Sequence, residues 1–130
     1  MRRLDLGRVE VLEPDGPDAA AWSPVRHLLG IGAFGVNLWH GREPGDLVVE
    51  DHDEVDDGHE ELYVVLSGRA RFVVGDEQAD ADAGTLIAVD PQTRRTATAL
   101  EPGTVVLVVG APRGAAFTPS EWERRALGEG

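Results

Sequence analysis

Short apolar segments, separated by glycine and proline, dominate the sequence. Sixteen glycines and eight prolines are spread over 130 residues, and the apolar segments between them, such as residues 47–50 and 86–89, are too short for helices of ordinary length. Residues 34–40 have the alternating pattern of a half-buried strand, with Phe34, Val36 and Leu38 at every second position. Short strands divided by turn residues are typical of sandwiches and barrels. The chain is therefore predicted to be all-β.

The strand candidates account for most of the chain. They cover residues 9–12, 34–40, 47–50, 62–66, 69–74, 86–89, 95–100 and 104–109. Ser67 and Gly68 separate two of them and predict a tight hairpin. Only the C-terminal region looks helical, with Thr118 as a helix cap and Glu121 as the capping-box acid. So many strands in one compact unit should close into a barrel or a double sheet, because open edges invite aggregation.

The charge of the chain restricts its partners. Twelve basic and 24 acidic side chains give a formal net charge of −12. Phosphate backbones and anionic lipid would repel such a polyanion, so neither nucleic acid nor a membrane surface is expected as a partner. Cysteine is absent, which excludes disulfides and thiolate metal sites. Residues 1–5 show no apolar signal core and no run reaches membrane-spanning length, so a cytoplasmic location is expected.

One strand candidate carries a histidine, a carboxylate and a phenol on the same face. Alternate residues of a strand share a face, so His59, Glu61 and Tyr63 point together while Leu62 and Val64 point the other way. If the polar face lines a barrel interior, it forms a small pocket with a polar floor. If it faces solvent, the leucine and valine face makes the core. The residues alone leave both arrangements open.

Two segments resemble the motifs of the cupin family. Glu61 is followed after six residues by Gly68, within E-E-L-Y-V-V-L-S-G, and this resembles the end of the first cupin motif, with Pro44 and Gly45 as its opening turn. Residues 84–95 can be laid on the second motif without a gap. The resemblance implies an antiparallel jelly-roll β-barrel, to which the sequence pattern adds a short C-terminal helix, and it places Glu61 and Arg95 inside the barrel.

The resemblance also implies a domain plan and an oligomeric state. Residues 1–130 are expected to form a single domain, with a barrel core at about 30–110, an N-terminal strand or arm at 1–29 and a tail with a short helix at 111–130. Family precedent implies a homodimer, formed by sheet packing or by exchange of the N-terminal strand. Trp22 and Trp39 are candidates for interface area in such a dimer.

The metal-binding pattern of the family is degenerate in this chain. Asp51, His52 and Asp53 stand where the family has His-x-His, and Arg95 occupies the position of the second-motif histidine. A guanidinium has no lone pair to offer a metal and adds positive charge where the cation would sit. Of the usual ligands only Glu61 is clearly retained, and Arg95 is expected to pair with it, because a buried carboxylate needs a partner. No metal or other cofactor is therefore favoured.

The favoured function is binding of a small polar or anionic molecule in the barrel. The expected ligand-binding residues are Glu61, Arg95, Tyr63 and His59, with spare donors of Arg95 facing the ligand. Whether binding leads to turnover is open. A structural dimer with a vestigial pocket is a further, weaker interpretation.

A rearranged metal site is the alternative. His52, His59 and Glu61 form a set of two imidazoles and one carboxylate, which suits Fe, Mn, Ni or Zn. Asp53, Asp57 or His40 could add a further ligand. In that case the protein would be a metal-dependent small-molecule enzyme, an oxygenase or an isomerase.

Overall fold

The computed structural model describes residues 1–129, which form strands and two short helices. In chain order the elements are β1 (Ala21–Ser23), α1 (Val25–Leu29), β2 (Gly35–Gly41), β3 (Leu47–His52), β4 (His59–Ser67), β5 (Arg69–Val74), β6 (Glu77–Asp82), β7 (Leu86–Val89), β8 (Arg95–Ala99), β9 (Thr104–Pro112) and α2 (Glu121–Leu127). Neither helix is long and apolar enough to cross a membrane.

The strands form two antiparallel sheets. One has the order β1-β2-β9-β4-β7 and the other the order β3-β8-β5-β6. Inward-facing side chains of both sheets make the main core, in which Val48, Tyr63, Phe72 and Val106 are almost completely buried. The predicted all-β jelly-roll barrel with a short C-terminal helix is confirmed. The predicted division into a core and two arms stays a prediction, although β1, within the predicted arm, forms an edge of the first sheet.

The chain changes sheets at Gly68, where the sequence predicts a hairpin. β4 pairs with β7 and β9, whereas β5 pairs with β6 and β8, so the hairpin prediction is wrong. Gly68 has φ +72, a left-handed conformation that side chains disfavour, and its Cα lies against Thr104. A glycine after serine indicates a sharp turn, but the turn type alone does not tell which strands will pair.

The remaining secondary-structure differences lie in short or polar segments. β6 has no counterpart in the prediction because only Ala81 of its six residues is buried, so it lacks an apolar alternation. Residues 9–12 form only an isolated bridge, between Leu12 and Trp22. The five-residue helix α1 ends at Gly30 in the left-handed conformation and is too short to show a helical period. Ser120, not Thr118, precedes α2, and its side chain makes no capping hydrogen bond.

Gly41 is enclosed so tightly that a single methyl group should destabilise the barrel. A Cβ at this position would lie 2.6 Å from Ala99 Cβ and 2.8 Å from Val48 Cγ1. Because overpacking of a core strains its neighbours, we expect Gly41→Ala to lower the free energy of unfolding by about 1–3 kcal/mol in urea titrations. Gly32→Ala is the matched control, since nothing lies within 4 Å of a Cβ there. Equal stability of the two variants would contradict the expectation.

Candidate ligand-binding site

A cavity of about 350 Å³ lies inside the barrel, within the range of about 300–1,000 Å³ that is usual for small-molecule sites. Its wall combines side chains of β2, β3, β4 and β9 with the loop between β3 and β4 and with residues of the C-terminal tail. The cavity contains most of the chemistry-bearing residues singled out from the sequence. His59, Glu61, Tyr63 and His52 all line it.

β4 turns its polar face inward. Tyr63 is 1% exposed and belongs to the core, and His59 is 6% exposed. Leu62 and Val64, on the opposite face, are only half-buried. Of the two arrangements that the sequence leaves open, the structure therefore has the polar face inside. The period of two in a strand then brings His59, Glu61 and Tyr63 to one wall of the cavity.

Glu61 is the acceptor for two buried donors. The hydroxyl of Tyr63 donates to Glu61 Oε1 at 2.5 Å, and Arg95 Nη1 donates to the same oxygen at 2.9 Å. Arg95 Nη2 donates to the carbonyl oxygen of Asp90 at 2.6 Å. The Arg95 side chain is fully buried, so this ion pair supplies the charge partner that a buried guanidinium requires. The structure thus brings Arg95 and Glu61 into contact across the two sheets.

Arg95 lies behind Glu61 and does not line the cavity. This differs from the expectation that its spare donors would face a ligand. Both terminal nitrogens already donate to protein oxygens, and Arg95 Nε is buried without a partner among the described residues. Its effect on a ligand would therefore act through Glu61, whose charge it neutralises.

A second network joins two imidazoles through Glu54. His52 Nε2 lies 2.8 Å from one oxygen of Glu54, and His59 Nδ1 lies 3.4 Å from the other. His52 Nδ1 also donates to the carbonyl oxygen of Glu50 at 2.6 Å. Both ring nitrogens of His52 therefore face acceptors, an arrangement that only the doubly protonated, cationic imidazole satisfies. His52 Nε2 is also 3.6 Å from Glu61 Oε1, so the two networks adjoin.

These contacts shift the pKa values of the groups involved. Burial lowers the pKa of His52, but the hydrogen bonds to Glu54 and Glu61 outweigh burial and raise it to about 10. Burial raises the pKa of Glu54, but the hydrogen bonds from His52 and His59 more than offset burial and lower it to about 2. The bond to Glu54 raises the pKa of His59. Burial and the adjacent Glu61 carboxylate raise the pKa of Tyr63 well above its usual value.

Glu54 is a site residue that the sequence does not reveal. Its side chain is only 10% exposed, although it belongs to an acidic stretch that reads as a solvated loop. The loop folds back toward Pro91, whose carbonyl oxygen accepts from Glu54 N. Gly58 N in turn donates to the carbonyl oxygen of Glu54. The only signal was its position between His52 and His59, and spacing alone could not show that it faces inward.

The C-terminal tail contributes the other end of the cavity. Glu123 Oε1 accepts from Asn37 Nδ2 at 2.7 Å, and its Oε2 accepts from Arg26 Nε at 2.6 Å. Trp122 packs against two further indoles, with ring centroids 5.0 Å from Trp22 and 5.8 Å from Trp39. Trp22 and Trp39 are thus buried within their own chain, which contradicts the suggestion that they supply dimer interface.

The lining is strongly acidic. It includes seven carboxylates and two imidazoles, and none of its described residues is a lysine or an arginine. The carboxylates are Glu50, Asp53, Glu54, Asp56, Asp57, Glu61 and Glu123. Aromatic surface comes from Trp39, Trp122 and Phe117, the last of which stacks on His59 at 5.3 Å.

Two groups of side chains have the donor spacing of a cation site. One oxygen or nitrogen from each of His52, Glu54 and Glu61 lies within 4.8 Å of the others, and the same holds for Glu54, Asp57 and His59. Imidazole and carboxylate together fit a divalent transition metal once the imidazole proton is lost. His40 belongs to neither group and is not among the lining residues; its Nε2 bonds to Ser23 Oγ at 2.8 Å. Asp53 lines the cavity but belongs to neither group.

Solved structures resemble this fold, whereas sequence comparisons find no relatives. No protein-family model matches the chain, and no curated protein matches it. A cupin protein from Bacteroides fragilis superposes with a TM-score of 0.67 at 16% identity, over 92% of this chain and 90% of the other. KdgF from Halomonas sp. gives a TM-score of 0.67 at 16% identity, over 84% and 93%. A cupin 2 conserved barrel domain protein from Salinispora arenicola gives 0.62 at 15%, over 85% and 86%.

Proposed function

On the premise that this chain has the cupin fold, we propose that it binds a small polar molecule, neutral or cationic, in the barrel cavity, without the metal site usual in that family. The observation that carries the proposal is the lining, which combines acidic, imidazole and aromatic groups with a Glu61 already neutralised by Arg95. A protein scaffold that satisfies its buried carboxylate internally does not need a cation to do so.

The charge of the lining disfavours an anionic ligand. Seven carboxylates face the cavity against two imidazoles, both of which already lie beside Glu54. Two guanidinium groups contact lining carboxylates, and both are already used: Arg95 by Glu61 and Asp90, and Arg26 by Glu123 and Glu129. An added negative charge would therefore meet repulsion with no free cation to compensate it. This geometry therefore supports the expectation of a polar ligand but gives no support to an anionic one.

The lining of the cavity offers two kinds of contact. Glu61 and Glu54 accept hydrogen bonds, and the imidazoles of His52 and His59 are the adjacent donors. Tyr63 donates to Glu61 and so orients that carboxylate. Trp39 and Trp122 offer flat apolar faces. A ring with hydroxyl groups on its edge and C–H groups on its face matches this combination.

Three sugars of the same ring size test the proposal. Glucose, glucosamine and glucuronate differ chiefly in charge, so calorimetric titration at pH 7 isolates the effect of charge on affinity. We expect glucosamine and glucose to bind, and glucuronate to bind more weakly by about tenfold or more, which corresponds to about 1.4 kcal/mol. Tightest binding of glucuronate would contradict the proposed charge preference, and no binding of any of the three would count against a hydroxyl-rich ligand.

Removing the charge of Glu61 should abolish most of that affinity. We expect Glu61→Gln to weaken the best-bound of the three sugars by about tenfold or more, because hydrogen bonds to a charged acceptor contribute about 1.5–3 kcal/mol. Glu60→Gln is the matched control, since Glu60 lies on the opposite face of β4 and pairs at the surface with Arg113. Circular dichroism confirms that both variants are folded. Equal affinities would remove Glu61 from the binding site.

A metal-dependent enzyme is the second candidate, favoured by the donor spacing around His52, Glu54 and Glu61. These three side chains would hold the ion, and His59 lies beside Glu54. A divalent ion would supply Lewis acidity toward a ligand oxygen. Elemental analysis of the purified protein decides between the candidates. Near-stoichiometric Fe, Mn, Ni or Zn that is lost in Glu61→Ala or His59→Ala would replace the metal-free proposal.

We propose separately that the protein forms a homodimer. The outer face of the first sheet carries exposed Leu66 and Leu86 beside half-buried Val64 and Leu107, whose strands are paired in register. A second copy could cover this apolar patch of four side chains. Sedimentation equilibrium is expected to give twice the monomer mass. A monomer at all concentrations would remove the dimer and leave the cavity proposal untouched.

A further inference from the structure

One wall of the cavity consists of residues 117–129, which we term the cover segment. Phe117, Ser120, Trp122 and Glu123 of this segment line the cavity, opposite the carboxylates of β4 and the loop before it. The barrel strands alone leave this side open. Access to the interior therefore depends on where the cover segment lies.

The charged attachments of the cover segment converge on one guanidinium. Arg26 of α1, which is 7% exposed, donates from Nε to Glu123 at 2.6 Å and from Nη2 to both oxygens of Glu129, at 2.5 and 3.1 Å. Glu123 also accepts from Asn37 of β2. Glu123 is thus the one residue of the segment that is buried, contacts the barrel in two places and faces the cavity.

The chain between the barrel and α2 is suited to a hinge. Residues 113–120 belong to neither helix nor strand. Gly114 has φ +70, and nothing lies within 4 Å of a Cβ placed on it. Rotation there would leave the hydrogen bonds of β9 intact, because β9 ends at Pro112. The cover segment can therefore move without breaking the hydrogen bonds of the two sheets, although Trp122 would leave its contacts with Trp22 and Trp39.

The closed position leaves one polar atom unsatisfied. Asn37 Oδ1 is buried without a hydrogen-bond partner, although Asn37 lines the cavity. Its amide cannot be turned around, since a carboxylate accepts hydrogen bonds and Nδ2 must face Glu123. A buried acceptor without a donor is unfavourable. Opening would expose this oxygen to water, so the unsatisfied acceptor disfavours the closed position.

We propose that the cover segment opens as a unit to admit ligand to the cavity, and that Glu123 is the positioning residue that holds it closed. The inference extends the proposed binding function, because it assigns the route by which a molecule reaches the cavity. It predicts a state in which the barrel stays folded while the cover segment is detached. That state can be detected without knowing the ligand.

Cysteine labelling provides the test, because the chain has no native cysteine. Val108 is 7% exposed and lines the cavity, so Val108→Cys reports access to the interior. The reagent is iodoacetamide, whose neutrality avoids repulsion by the acidic lining. We expect Glu123→Gln in this background to raise the labelling rate by about tenfold or more, which corresponds to about 1.4 kcal/mol of opening free energy. Glu121→Gln, on the exposed side of α2, should leave the rate unchanged.

A second cysteine separates opening of the cover from unfolding of the barrel. Val106 lies two residues away on the same face of β9, is completely buried and does not line the cavity. Val106→Cys should label slowly with or without Glu123→Gln. Equal acceleration at both positions would mean global unfolding, and no acceleration at Val108→Cys would mean that Glu123 does not hold the cover. Either result overturns the proposal.

Hydrogen exchange tests the opening of the cover segment without cysteine substitutions. In Glu123→Gln, the amides of α2 should exchange about tenfold faster or more, while those of β4, β8 and β9 keep their wild-type rates. Uniform acceleration, or none, contradicts the proposal. Neither measurement uses a ligand. Failure of sugar binding therefore leaves this inference standing, and failure of the labelling test leaves the ligand proposal standing.

Discussion

Arg95→Ala is expected to lower the free energy of unfolding by about 3–5 kcal/mol, because it leaves the Glu61 carboxylate without its charge partner inside the barrel. The Glu61 side chain is 13% exposed and that of Arg95 is not exposed at all, so water cannot replace the lost donor fully. The carbonyl of Asp90 loses its contact with Arg95 at the same time. Tyr63 donates a hydrogen bond to Glu61 Oε1 but carries no positive charge, and the cationic His52 is already paired at 2.8 Å with Glu54 and lies 3.6 Å from Glu61 Oε1.

Arg94→Ala is the matched control for that measurement. Arg94 is the neighbouring residue, yet its side chain is 64% exposed and pairs with the equally exposed Asp51. Surface ion pairs contribute about 0–1 kcal/mol, so urea titration should show only a small change. A small change in Arg95→Ala as well would mean that Glu61 is readily hydrated or protonated once Arg95 is removed. The ion pair would then not be a main stabilising element of the site.

Gly68→Ala is expected to cost about 2–5 kcal/mol, because it combines backbone strain with overpacking. The left-handed conformation disfavours any Cβ, and a Cβ at this position would lie 2.7 Å from the Cα of Thr104. Backbone atoms of β9 cannot move aside as a flexible side chain would. The strain should therefore spread into the hydrogen bonds of Thr104 Oγ1 with the backbone of Arg69.

Gly103→Ala separates the two causes. Gly103 has φ +69, nearly the same as Gly68, but nothing lies within 4 Å of a Cβ there. Its substitution should cost only the backbone strain of about 1–2 kcal/mol. Thermal and urea unfolding of both variants give the difference that belongs to the close approach. If Gly103→Ala proved as destabilising as Gly68→Ala, the close approach to Thr104 would make no measurable contribution to the loss of stability.

The parts of the site that could be predicted from the sequence depend on local periodicity and fixed spacing. The period of two places His59, Glu61 and Tyr63 on one face, and the resemblance of the segment from Glu61 to Gly68 to a cupin motif implies the type of barrel. The position of Arg95 in the second motif was enough to expect its contact with Glu61, which the structure has at 2.9 Å. That either residue binds a ligand stays a prediction.

The parts that were missed depend on contacts between distant residues. Arg26 and Glu123 are separated by 97 residues, and neither has a local pattern that indicates burial. Glu54 is one acid among many in its loop, and only the return of the loop toward Pro91 turns it inward. The sheet change at Gly68 is equally non-local, since it depends on which strands lie beside β4 and β5. Composition and periodicity indicate which face of an element is buried, but they do not identify the element that packs against it.

The polar strand β6 has a consequence for the behaviour of the protein in solution. It is an outer strand of its sheet, and its exposed carboxylates, including Glu77 and Asp82, stand along an otherwise available row of backbone donors and acceptors. Charge on such a strand prevents another molecule from adding to the sheet. Asp80 of the same strand accepts hydrogen bonds from the Arg71 guanidinium, which lower the pKa of this carboxyl, so its charge persists into acid. The resistance of this protein to edge-to-edge association therefore depends on charged residues that do not line the cavity.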